Sequence, residues 1–117
     1  MNVTKQRQAE FAIFKAEVER MLNLLGLHGW RVVILCEKLD DVYGDMSANC
    51  AGRIATIRYN SEPDTIATPE DPARVARHEV LELFLARIEC MAQARYVTEI
   101  EIHEEKHALI RTLEKIL

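Results

Sequence analysis

Glycine, proline and aromatic residues are scarce: the 117-residue chain has four glycines, three prolines, one tryptophan and 6% aromatics. That scarcity excludes collagen-like, low-complexity and linker-dominated architectures. No apolar run approaches the roughly 20 residues that a membrane helix needs, so no membrane partner is expected. Met1–Glu10 is polar and has no apolar centre of a signal peptide. Three cysteines are present, Cys36, Cys50 and Cys90, with no Cys-x-x-Cys pair. An odd count at these spacings predicts neither a disulfide framework nor a four-thiolate zinc site. Free thiols suit a reducing compartment, so the expected location is the cytoplasm. A basic surface is also missing, since the formal net charge is −4. Phosphate neutralisation needs positive charge, and no nucleic-acid partner is expected. Arg74 and Arg77 with Arg87, and Arg53 with Arg58, read as solvated faces.

What remains is 49% apolar and 29% charged residues, the make-up of an ordinary globular protein. A chain of this length suits one domain over residues 1–117, with one core and no staples.

Phe11, Phe14, Val18, Met21, Leu22 and Leu25 recur at spacings of three and four, which predicts a core-covering first helix that stops at Gly26. Trp30–Cys36 is β-branched and apolar, and Arg53–Tyr59 alternates with Ala55, Ile57 and Tyr59 on one face. Both read as strands. A further strand is expected near Asp45–Asn49, and a loop from Asn60 to Asp71. Asp71 as cap and Pro72 at the first position then open a helix running to about Ala92. Thr98 with Glu101 has capping-box spacing and opens a last helix that is expected to bury Ile102, Leu109, Leu113 and Ile116. The fold class is α+β: an N-terminal helix over a small sheet of two or three partly antiparallel strands, then two helices.

The sharpest chemical signal is Arg77-His78-Glu79-Val80-Leu81-Glu82-Leu83. On a helix His78 and Glu82 project from one face a turn apart, and Glu79 lies about 100° round. This is the logic of the His-Glu-x-x-His zinc helix, whose glutamate is the general base. Zinc accepts carboxylate oxygens too. The bland alternative is a charged flank on an amphipathic helix. His103-Glu104-Glu105-Lys106-His107 also fits His-Glu-x-x-His, but its inner pair is charged and no good third ligand follows, so it reads as a solvated face. Zinc sites with an open position take three protein ligands. Glu105 faces inward on the last helix and is the candidate third ligand, with Glu104 and His107 in reserve. In a straight hairpin of the last two helices Glu105 would instead lie opposite Arg87. His28 sits in a turn. Tyr43 and Tyr96 are oxyanion-stabiliser candidates, with half-buried packing as their plainer role. Asp40, Asp41 and Asp45 match no calcium loop, and Cys90 has no base beside it.

In Leu27-His-Gly-Trp30-Arg-Val, Ala55-Thr-Ile-Arg-Tyr, His78-Glu-Val-Leu-Glu-Leu-Phe-Leu-Ala-Arg and Glu104-Glu-Lys-His-Ala-Leu-Ile-Arg-Thr-Leu-Glu114, the chain resembles the small metallopeptidase family of tailed phages and prophages. The resemblance spans about Leu24 to the end. It implies a zincin-like fold and a zinc ion held by His78 and residue 82, with Glu79 as base. A glutamate from the last helix would complete the site. It also implies a peptide or protein substrate. The departure is Glu82, where the family motif has His. One imidazole and two carboxylates suit a harder ion such as manganese, Mn2+, better than Zn2+. Three functions follow: a metal-dependent hydrolase with a degenerate HExxE motif, a catalytically inactive zincin-like accessory protein, and a helical dimerisation module. The last requires an exposed apolar stripe on the N-terminal helix.

Overall fold

The computed structural model describes residues 3–63 and 70–117. The apolar stripe at the N-terminus winds into α1 (Val3–Leu24). Its Phe14, Val18 and Met21, with Leu25 just beyond, are buried; a side chain of this kind contributes about 1.5–3 kcal/mol when fully buried. Gly26 ends the helix at φ 66°, a left-handed backbone that glycine adopts without a Cβ penalty. With its stripe in the core, α1 exposes Ile13 and Leu24 among its described large apolar side chains.

Three strands follow: β1 (Arg31–Glu37), β2 (Gly44–Asn49) and β3 (Ile54–Asn60). Their order in the sheet is β1-β3-β2. β1 runs parallel to β3, with Ile34 opposite Ile57, and β2 runs antiparallel to it, with Met46 also opposite Ile57. The period-2 alternation of β3 puts Ala55, Ile57 and Tyr59 in the core. Tyr59 meets Phe14 of α1 with ring centroids 4.9 Å apart.

Asp71 accepts a hydrogen bond from the Ala73 N–H at 3.1 Å, and Pro72 begins α2 (Pro72–Phe84). α2 adds Val75, Ala76, Val80 and Leu83 to the core. Most of the preceding loop, residues 64–69, lies outside the described residues.

The expected helix to Ala92 is in fact two. It breaks at Leu85, and α3 (Ala86–Gln93) takes over. No glycine or proline marks the break. Beyond it, Ala86 is buried in the core and Cys90 is bonded to Cys50, so tertiary contacts hold α3. The Thr98 hydroxyl accepts from the Glu101 N–H at 3.1 Å and caps α4 (Glu99–Glu114). Leu109 and Leu113 pack against the core as expected. Ile102 and Ile116 are exposed instead of buried, because α4 touches the body along a narrow strip and has no buried residue.

A second correction concerns the thiols. Cys50 and Cys90 form a disulfide across 40 residues, and only Cys36 is free. The pairing joins the turn after β2 to α3, a tertiary neighbourhood that linear spacing does not reveal. The free-thiol argument for a reducing compartment thereby loses two of its three cysteines. Among the described residues, no helix is long and apolar enough to cross a membrane.

Candidate metal centre

α2 brings His78, Glu79 and Glu82 together, with one donor atom from each inside a mutual distance of 4.8 Å. His78 Nε2 lies 3.3 Å from Glu82 Oε1, and the two side chains are 68% and 50% exposed. Glu79 is different. It is 5% exposed, and its Oε2 has no hydrogen-bond partner. A buried carboxylate oxygen without a partner is costly. Burial pushes the Glu79 pKa up to about 8, and the negative charge of Glu82, the hydrogen bond to it and the charge of Asp45 add to the shift.

The arginines nearby are engaged elsewhere. Arg77 donates to Glu17 at 2.8 Å, which ties α2 to α1. Arg74 lies 3.8 Å from Glu70. Arg58 pairs with Asp45 and, at 2.6 Å, with Glu37. Among the described residues, no arginine or lysine forms an ion pair with Glu79 or Glu82. The result is an acidic corner with one imidazole, a buried oxygen that lacks a partner, and no fixed cation.

Glu79 and His78 form one wall of a cleft of about 380 Å³, whose other wall is Asp41, Val42, Tyr43 and Gly44. Two residues that the sequence reading did not single out shape it. At Gly44 a Cβ would stand 2.7 Å from Val75 Cγ1 and 3.0 Å from the Arg58 carbonyl. Only a residue without a side chain lets α2 sit this close to the start of β2. Asn60 is fully buried. Its amide donates to the carbonyls of Leu39 (3.1 Å) and Val42 (2.8 Å), and its oxygen accepts from the N–H groups of Leu39 (3.2 Å) and Glu62 (2.8 Å). That one side chain pins the segment that carries Tyr43 to the cleft. The sequence signal for it was weak: a polar residue closing an apolar strand.

The candidates on α4 lie elsewhere. Glu105 receives a hydrogen bond from Arg87 Nε at 3.3 Å and lines a groove with Leu27, Trp30 and Arg53. It faces inward, but to an arginine and away from the His78 group. Glu104 and His107 are exposed. Glu105 pairs with Arg87, nine residues beyond His78, so no α4 carboxylate joins His78, Glu79 and Glu82. Tyr43 lines the cleft, whereas Tyr96 and His28 are exposed on other surfaces. Asp45 is held by Arg58.

Of the three protein ligands that an open zinc site takes, this group supplies His78 and Glu82, with the orphaned Glu79 oxygen as the one further donor in the group. An imidazole and a carboxylate one turn apart can share an ion, and the orphaned Glu79 oxygen would gain a counter-charge from one. The chain matches no family model, no curated protein and no solved structure.

Proposed function

We propose that His78, Glu79 and Glu82 form the centre of a metal-dependent hydrolase, zincin-like in arrangement, that acts on peptide or protein substrates. The observation that carries this reading is the buried Glu79 carboxylate, with one oxygen unpartnered, in the wall of an open cleft beside two exposed donors. His78 and Glu82 would hold Zn2+ or Mn2+, and the cation would polarise the scissile carbonyl and lower the pKa of water. Glu79 takes a proton from the attacking water and returns it to the leaving amine. In the cation-free protein its raised pKa keeps it largely protonated at neutral pH. A bound cation favours the ionised form, which is the form a base must have. Tyr43, on the facing wall, is placed to line the substrate's path.

The resemblance to phage and prophage metallopeptidases supports the same reading through His78-Glu79 and the segments around it. The test is peptide hydrolysis by protein loaded with zinc or manganese. Glu79→Gln should keep the metal and lose roughly 10²–10⁴-fold in rate, the usual contribution of a general base. His78→Ala should lose both. Full activity in Glu79→Gln sinks the assignment.

A second reading is a zincin-like accessory protein without activity. It is favoured by the His78–Glu82 contact of 3.3 Å, which sets the two would-be ligands against each other. That reading expects no metal under any loading.

A further inference from the structure

α4 has two flanks. The inner one sends Leu109 and Leu113 to the core and Glu105 to Arg87. The outer one carries Ile100, His103, His107 and Ile110 at spacings of three, four and three, the seam spacing of paired helices. All four are exposed, Ile100 by 70% and Ile110 by 36%. The two imidazoles stack edge to face with centroids 4.4 Å apart.

This stripe reads the same from either end. Turning a second copy end for end about residue 105 sets Ile100 of one copy against Ile110 of the other, and His103 against His107. The match occurs twice, as a two-fold interface requires. The charges agree with that direction. Glu99, Glu101, Glu104 and Glu105 fill the first half of α4, while Lys106 and Arg111 lie in the second, with Glu114. Antiparallel pairing brings the acidic half of one helix alongside the basic residues of the other, and parallel pairing opposes like charges.

The imidazoles add a requirement of their own. Two histidines one turn apart on a helix can grip one transition-metal ion, but a closed tetrahedral zinc site takes four ligands. One chain supplies two, and an antiparallel pair supplies four. We propose that two copies of this chain pair antiparallel through α4 and hold one zinc-like cation among His103 and His107 of both. The site is incomplete in a single copy. It uses none of the residues of the α2 centre and does not depend on the hydrolase reading.

The test is molecular mass by sedimentation equilibrium, first in chelator and then with zinc. Zinc should tighten self-association at least tenfold, with one zinc bound per two chains in a His78→Ala background. His107→Ala and Ile110→Glu should stay monomeric in zinc. Both substituted side chains are exposed, so circular dichroism should report an intact fold. A monomer with and without zinc overturns the proposal. So does a dimer that ignores both the chelator and His107→Ala.

Discussion

Replacing Glu79 with glutamine should stabilise the cation-free protein, and only above acidic pH. The carboxyl is buried and its pKa is raised to about 8 from an ordinary 4.5, with burial the main cause. Below pH 4.5 the group is protonated in both the folded and unfolded chains and costs nothing. Between pH 4.5 and 8 the unfolded chain releases a proton that the folded chain retains, so this group's contribution to stability falls as pH rises. At pH 7 the span is 2.5 pH units, which at 1.36 kcal/mol per unit is up to about 3 kcal/mol. Glutamine fills the same space and carries no charge, so Glu79→Gln escapes this loss. For a domain of this size the gain corresponds to a rise of roughly 10 °C in Tm. The assay is thermal or urea unfolding of both proteins in chelator, at pH 4.5 and pH 7.5. Any cost of the amide itself appears at both pH values, so the difference between them isolates the carboxyl. A stability gap that does not change with pH refutes the reasoning. Zinc at one hundred times its Kd should add about 2.7 kcal/mol to the parent protein and to Glu79→Gln alike, since both keep His78 and Glu82.

Other residues make separate claims. Asn60→Ala should cost about 2–4 kcal/mol in urea unfolding, because it orphans buried backbone groups of Leu39 and Val42 along with the interactions it removes; a loss under 1 kcal/mol contradicts its role as the pin of the cleft wall. Reducing Cys50–Cys90, or replacing Cys90 with serine, should lower stability by up to about 4 kcal/mol, the chain-entropy value for a 40-residue separation. Unchanged unfolding in the presence of a reductant would mean that the bond does not form in solution.

Local patterns located most of the elements, because periodicity is a local property. The strands lie within one residue of their expected bounds, and Asp71, Thr98 and Gly26 act at helix ends as their chemistry predicts. The α1 stripe is core, as its spacing predicts, so the exposed stripe that a dimerisation module requires is not found there, and α4 is where exposed isoleucines gather. What the sequence concealed was tertiary. Leu85 is an ordinary helix former, yet α2 ends there, and beyond it Ala86 and Cys90 answer to contacts from distant segments. The Cys50–Cys90 bond is hidden for the same reason. Glu105 was expected to face inward, and hairpin spacing set it opposite Arg87. The two do pair, and that leaves Glu105 away from His78. At the site, the donor spacing of His78, Glu79 and Glu82 was legible from helical geometry alone. The burial of Glu79 was not, because it depends on the absence of a side chain at Gly44, a strand away.

A cation at His78 is best sought as zinc binding to chelator-stripped protein in which His103 and His107 are both alanine, measured by elemental analysis after zinc is supplied in excess and washed out. About one zinc per chain should be retained, and lost when His78→Ala is added. No retained metal, or metal that survives His78→Ala, contradicts that expectation.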